Sequence, residues 1–338
     1  MKILLTGATG FVGSHLAREL VDRGHEVHAL VRKTSPHAAS RHGFLSEMGI
    51  RLVFGSLETL ADKKIDLPPV DVAIHNGGLI KAKKIGEFYR VNVEGTRQLV
   101  ESLKHHDLKR LVFVSSISAR GPNRAGGPNR AGGPNRSDND HNGSGPVSHY
   151  GKSKLEAEQI LKKAGERFPV TIVRPPVVYG PGDEATLPLF KMFKRGLFPV
   201  LRGGNRRSSF IYVKDLSKIL ATLAEKGSTG EEPIYPDDGR GGYSWEEVIA
   251  IAQTVFKRRI RKISLPLWTA ALMMVVSQTA GLFSQKASFL TLEKFQEMKQ
   301  VLWTCSNRSP GILNLDPLTD LKAGLAKTRN WYEKEGWL

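Results

Sequence analysis

Tyr150 and Lys154 stand four residues apart in His149-Tyr150-Gly151-Lys152-Ser153-Lys154-Leu155-Glu156-Ala157-Glu158. That spacing puts both side chains on one face of a helix. A phenol with an ordinary pKa of about 10 is a poor base at neutral pH, and a nearby ammonium stabilises its ionised form. The pair therefore suits proton exchange with an alcohol or carbonyl oxygen, and Lys154 also has the reach for a cofactor ribose. Ser116, just beyond the apolar run Arg110 to Val114, adds a hydroxyl that can polarise the same oxygen.

A second constellation opens the chain. Ile3-Leu4-Leu5 runs into Thr6-Gly7-Ala8-Thr9-Gly10-Phe11-Val12-Gly13, with Leu16, Leu20 and Val21 following at helical spacing. This reads as a strand, a tight turn and a helix start that hold a dinucleotide. Gly7 permits the turn, Gly10 lets the backbone approach a pyrophosphate, and Gly13 lets the helix pack close; the phosphates meet free N–H groups at the helix N-terminus. Glu26 to Val31 reads as the second strand. At its end, where an acid would accept from a ribose 2′-hydroxyl, stand Arg32 and Lys33. Two cations suit a 2′-phosphate, so NADP(H) is expected over NAD(H).

Further apolar strands, Arg51–Phe54, Val70–His75 and Arg110–Ser115, alternate with amphipathic helices, one from about Gly86 to His105 and one from His149 to near Phe168. The alternation predicts an α/β fold, a Rossmann-type doubly wound parallel sheet, with chemistry at the carboxyl ends of its strands. His75 and Ser115 sit at such ends, and His75 reads as a packed strand-end histidine. We expect a dinucleotide-binding domain over residues 1–175 and a smaller C-terminal α/β substrate domain over 176–338, with a return to the sheet near 210–215.

Composition bounds the rest. At 338 residues and 40% hydrophobic, the chain can bury a large core or two joined ones. Cys305 is the sole cysteine, which rules out an intrachain disulfide and suits a reducing, cytoplasmic setting; no signal peptide is visible. The net charge of +17 favours acidic ligands or anionic surfaces. No zinc-ligand spacing or RNA-binding aromatic motif accompanies it, so neither a metal nor nucleic acid is expected.

The motifs together resemble the extended short-chain dehydrogenase/reductase, or epimerase/dehydratase, family along nearly the whole chain. The resemblance rests on Thr6-Gly7-x-x-Gly10-x-x-Gly13, Asn92 in Val91-Asn92-Val93-Glu94-Gly95-Thr96, Val114-Ser115-Ser116, Tyr150-x-x-x-Lys154, Arg174-Pro175-Pro176-Val177-Val178-Tyr179-Gly180-Pro181-Gly182 and Phe210-Ile211-Tyr212-Val213-Lys214-Asp215. It implies Tyr150 as acid/base, Lys154 as its modulator, Ser116 (or Ser118) as the donor to the substrate oxygen, and Asn92 as a structural or relay residue. It implies a cofactor site of Gly7, Thr9, Gly10, Phe11, Val12, Gly13, Arg32, Lys33, Ser56, Leu57, Gly77, Ser115, Tyr150, Lys154, Pro176 and Val178.

Departures bear on the substrate. Sugar-nucleotide members carry an asparagine where this chain has Val177, and a diphosphate-binding arginine where it has Ser208, although Arg206 and Arg207 lie close. A less polar small-molecule substrate follows, as in members similar to dihydroflavonol reductases and 3β-hydroxysteroid dehydrogenases. Sugar-nucleotide epimerisation or dehydration with bound NAD(P) and a non-catalytic dinucleotide-binding subunit remain the alternatives, and a homodimer is compatible with each.

Two segments stand apart. Gly121-Pro122-Asn123-Arg124-Ala125-Gly126 recurs at 127–132 and begins again at 133, so residues 121–145 are expected as a mobile, exposed loop. Lys257-Arg258-Arg259-Ile260-Arg261-Lys262 precedes 23 uncharged residues, Ile263 to Gln285. That stretch reads as a helix packed on the substrate domain, as a surface-embedded helix making peripheral membrane contact through 257–285, or as a span.

Overall fold

The computed structural model describes residues 1–34, 38–60, 65–123, 143–202, 206–228, 233–266, 268–269, 292–305 and 318–338. From the N-terminus run β1 (Lys2–Thr6), α1 (Phe11–Asp22), β2 (Glu26–Val31), α2 (Ala38–Glu47), β3 (Arg51–Phe54) and β4 (Val72–His75). Then come α3 (Ile85–Phe88), a π-helical turn over Tyr89–Glu94, α4 (Gly95–Leu103), β5 (Arg110–Val114), α5 (Ile117–Arg120), α6 (His149–Ala164) and β6 (Val170–Val173). The six strands form one parallel sheet in the order β3-β2-β1-β4-β5-β6. The apolar runs of β1, β2, β4, β5 and β6 are buried because helices cover a parallel sheet on both faces, whereas the edge strand β3 is half-exposed. Leu4, Ala73, Leu111, Phe113 and Ile172 pack there with Leu99 and Leu103 of α4 and Ala157 and Leu161 of α6. The strand order reverses between β1 and β4, which opens a crevice at their carboxyl ends.

The chain continues through β7 (Val177–Tyr179), α7 (Leu187–Arg195), β8 (Leu197–Leu201), β9 (Arg207–Ser208), β10 (Phe210–Tyr212) and α8 (Val213–Lys226). It ends through β11 (Tyr243–Ser244), α9 (Trp245–Phe256), β12 (Arg261–Leu265), α10 (Leu292–Met298), β13 (Leu302–Trp303) and α11 (Leu321–Lys334).

Two compact units result, the first made of residues 1–119, 150–174 and 214–234, the second of 120–149, 175–213 and 235–338. The division therefore differs from a single cut at 175. Phe210–Tyr212 does not rejoin the main sheet as expected; it pairs in parallel with β7 inside the second unit. The chain re-enters the first unit at Lys214, with α8, and meets the main sheet only where Ile234 bridges Val173 in parallel. The second unit has its own aromatic core, with Phe190, Phe193, Phe198, Phe210, Tyr332 and partly buried Trp245 and Phe256 in mutual contact.

The start of the repeat loop is not exposed. Gly121, Pro122 and Asn123 are buried, and Asn123 bridges Gly143 in antiparallel fashion. Asn123 also accepts from Arg120 at 3.0 Å and from the Thr304 amide at 3.1 Å, so the stem is a packed part of the second unit. Residues 124–142 lie outside the described residues, as do Leu267 and 270–285 of the apolar stretch. Among the described residues no helix is long and apolar enough to cross a membrane.

Candidate active site

The glycine turn has the geometry that a dinucleotide requires. Gly7 lies at φ 73°, and a Cβ there would stand 2.8 Å from the Gly77 backbone. At Gly13 a Cβ would come within 2.0 Å of the Gly7 carbonyl oxygen, so α1 can begin this close to the turn only with hydrogen there. No side chain caps α1 at Gly10 and its first turn holds no acid, which leaves the positive end of the helix open to an anion. The residues present fit a dinucleotide. Thr9 and Val12 lie in the same turn and helix start, and β1 pairs with β2 through Thr6 and Leu30, so exposed Arg32 and Lys33 follow at the same sheet edge. Ser56 caps the short turn Leu57–Thr59, accepting from the Glu58 amide at 3.3 Å, while Leu57 fills the space beside Gly77 and Gly95.

A directional hydrogen-bond chain ties this turn to Asn92. The Gly77 amide donates to Thr6 Oγ1 at 2.8 Å. Thr96 Oγ1 donates to the Asn92 carbonyl at 2.6 Å, so it can only accept from His75 Nε2, 2.9 Å away. His75 Nδ1 then accepts from Thr6 Oγ1 at 2.8 Å. One neutral tautomer satisfies every group. Burial, and secondarily the Lys154 ammonium, push the His75 pKa down to about 3. His75 is thus a packed strand-end residue, and its link from Thr6 to Thr96 was not legible from its position.

Asn92 sits in the π-helical turn and is buried. Its Oδ1 accepts from the Leu79 amide at 2.7 Å, and its Nδ2 donates to the Leu79 carbonyl at 3.1 Å and to Ser153 Oγ at 2.9 Å. Ser153 Oγ donates in turn to the Tyr150 carbonyl at 2.8 Å. Asn92 therefore anchors the first turn of α6. Tyr150 is half-buried, with its ring 6.1 Å from Phe88. Lys154 is buried, donates to the Val114 carbonyl at 2.7 Å and lies 4.2 Å over the Phe113 ring. A Cβ on Gly78 would stand 3.6 Å from its Nζ. Burial depresses the Lys154 pKa to about 7 against the opposing pull of Glu158. The amine thus exchanges its proton near neutrality.

Glu158, one turn further along α6, forms a buried pair with Arg174, through contacts of 2.9 and 2.6 Å. Ser115 donates its hydroxyl to the same carboxylate. The Ser115 side chain, assigned to the cofactor from the sequence, is committed to this triad. The spacing Lys154 to Glu158 was the available signal for it. Ser116 is half-buried and accepts from the Ser118 amide at 3.1 Å; Ser118 itself is buried. Thus β5, the π-helical turn and α6 bring Ser116, Asn92, Tyr150 and Lys154 into one unit with the glycine turn. Pro176 and Val178 belong to the other unit, where Pro176 is buried and Val178 pairs with Ile211.

The second unit also shows what became of the arginines beside Ser208. Arg206 is buried, with its guanidinium donating to the Leu201 carbonyl at 3.0 Å and the Lys299 carbonyl at 3.3 Å. Arg207 pairs with Glu247 at 3.3 Å and donates to the Gly242 carbonyl at 2.8 Å. Both guanidiniums hold the unit together. Val177 is 40% exposed.

Comparison with known proteins agrees with this geometry. The family model "NAD dependent epimerase/dehydratase family" matches residues 3–235. A ceramide reductase of Caulobacter vibrioides is 31% identical over 341 residues, covering 99% of this chain and 96% of the relative. The 4-hydroxy-2-methyl-3-oxo-4-farnesyl-3,4-dihydroquinoline-1-oxide ketoreductase of Stigmatella aurantiaca is 30% identical over 235 residues, 68% of this chain and 66% of the relative. The UDP-glucose 4-epimerase of Thermotoga maritima, solved with UDP-glucose, shares the fold at a TM-score of 0.73 and 18% identity, with 99% of each chain covered. With the glycine turn, Asn92 and the Tyr150–Lys154 helix in one parallel-sheet unit, the chain belongs to the NAD-dependent epimerase/dehydratase family and is an NAD(P)-dependent enzyme.

Proposed function

We propose that this enzyme moves a hydride between NADP(H) and a secondary alcohol or ketone on a largely apolar substrate. The observation that carries the substrate class is the engagement of Arg206 and Arg207 in structural contacts, beside Val177 and Ser208. A diphosphate needs charge-assisted, bidentate partners. Both nearby guanidiniums are spent on carbonyls and Glu247. The ceramide reductase and the farnesyl-quinoline ketoreductase supply the same leaning by name. Arg32 and Lys33 carry the preference for a 2′-phosphate.

Bound nicotinamide supplies the hydride donor or acceptor. Gly7, Gly10, Phe11, Val12 and Gly13 would hold its pyrophosphate by backbone N–H groups at the start of α1, with Thr9 beside them. Ser56, Leu57 and Gly77 of the first unit would line the same cofactor site. Tyr150 exchanges a proton with the substrate oxygen, and Ser116 donates a hydrogen bond to it. Lys154 stabilises the phenolate and, with a pKa near 7, returns or takes up the proton without a large barrier. Asn92 holds Tyr150 in place through Ser153. This reading puts the chain in the cytoplasm, where the Cys305 thiol stays reduced.

The test is a turnover panel of aliphatic ketones of increasing chain length against UDP-glucose, each with NADPH and NADH. NADPH oxidation that rises with chain length, with no epimerisation of UDP-glucose, is expected. Sugar-nucleotide turnover, or equal use of NADH, overturns the substrate or the cofactor reading respectively.

A further inference from the structure

Strands β8 and β12 are far apart in sequence and pair in parallel, with Leu197 opposite Arg261, Pro199 opposite Ile263 and Leu201 opposite Leu265. Side chains alternate along a strand, so these six share one face of the strip. On the opposite face Phe198 is buried and stacks on Phe193 at 5.4 Å, while exposed Lys262 pairs with exposed Glu246. The outer face is uncovered at its apolar centre. Leu197 is 44% and Ile263 41% exposed, Pro199 is exposed, and Trp268, three residues past the strand end, is 69% exposed.

The two segments that carry this face are strongly basic. Residues 187–202 and 257–266 together carry Lys191, Lys194, Arg195, Arg202, Lys257, Arg258, Arg259, Arg261 and Lys262 and no acid. Among the described residues only Lys262 of these has an acidic partner. We propose that this strip is a docking face for an anionic bilayer surface, with Leu197, Pro199, Ile263 and Trp268 entering the interface and the cations meeting lipid phosphates. A contiguous apolar patch rimmed by polar groups marks an interaction site. Aromatic and aliphatic residues flanked by lysine and arginine are what an anionic interface takes up. A second copy docking by the same face would oppose two like-charged rims, which disfavours it. The proposal deepens the function above, on which its purpose rests: a substrate dissolved in the bilayer is met where it resides.

The full chain is mixed with vesicles of phosphatidylcholine alone, or of phosphatidylcholine with phosphatidylglycerol, at low and high salt, and sedimented. Binding to the mixed vesicles only, weakened by salt, is expected. Arg261→Glu removes one cation and adds an anion, at about 1 kcal/mol each near the surface, so partition falls about 30-fold. Ile263→Asp should weaken it about tenfold or more. NADPH titration is expected to be unchanged in both variants, which shows that they are folded. Absence of binding at low salt, equal binding to neutral vesicles, or undiminished binding by both variants overturns the proposal. A self-association that Ile263→Asp abolishes, without vesicle binding, overturns it in favour of a second copy. Turnover of apolar ketones without vesicle binding sinks the docking face alone, whereas vesicle binding with sugar-nucleotide turnover sinks the substrate reading alone.

Discussion

Arg174→Met tests whether the buried pair beneath Lys154 organises α6. The Arg174 and Glu158 side chains are 2% and 1% exposed, joined by contacts of 2.9 and 2.6 Å. Methionine keeps most of the volume and removes the charge, leaving a carboxylate that cannot reach water. Breaking a buried pair on one side costs about 3–5 kcal/mol, roughly two to nearly four decades in the folded/unfolded ratio. Replacing both members, Glu158→Leu with Arg174→Met, strands no charge and should recover most of the loss. All five tryptophans belong to the second unit, so far-UV circular dichroism in urea is the better probe of the first. Glu158 also opposes the desolvation of Lys154, so the double variant should push the Lys154 pKa below about 7. A single variant costing under about 1 kcal/mol, the range of exposed pairs, or a double variant no more stable than the single one, refutes the reasoning.

Three further outcomes are expected. Tyr150→Phe should keep NADPH binding and lose roughly a hundredfold or more in turnover on any accepted ketone; near-native turnover removes Tyr150 from the proton path. The folded-state His75 pKa of about 3 lies below its ordinary 6.5, so the unfolded chain binds the extra proton between those values and stability falls as pH drops through that window. His75→Gln should flatten that dependence in urea titrations, and an unchanged slope would assign it elsewhere. Gly13→Ala places a Cβ 2.0 Å from the Gly7 carbonyl oxygen, a backbone atom that cannot swing away. About 1–3 kcal/mol of stability and at least tenfold in NADPH affinity should go, read by calorimetry and fluorescence titration.

Local pattern made much of the molecule legible. The parallel sheet follows from apolar runs alternating with helical periodicity, because strands buried on both faces need apolar residues throughout. The glycine turn and the Tyr150–Lys154 face follow from steric and helical rules that operate within one turn of chain, and the Arg32-Lys33 pair from strand termination. What lay beyond reach depends on neighbours distant in sequence. His75 is fixed in one tautomer by Thr6 and Thr96, Asn92 reaches α6 through Ser153, and Ser115 donates to a carboxylate on α6. Likewise, Phe210–Tyr212 could be read as a strand, but its partner β7 was decided by packing in the second unit. Arg206 looked free to grip a diphosphate until carbonyls from two other segments claimed it. Sequence specifies which groups can form a bond; only the fold brings a second group within hydrogen-bonding distance, and desolvation then makes that partner obligatory.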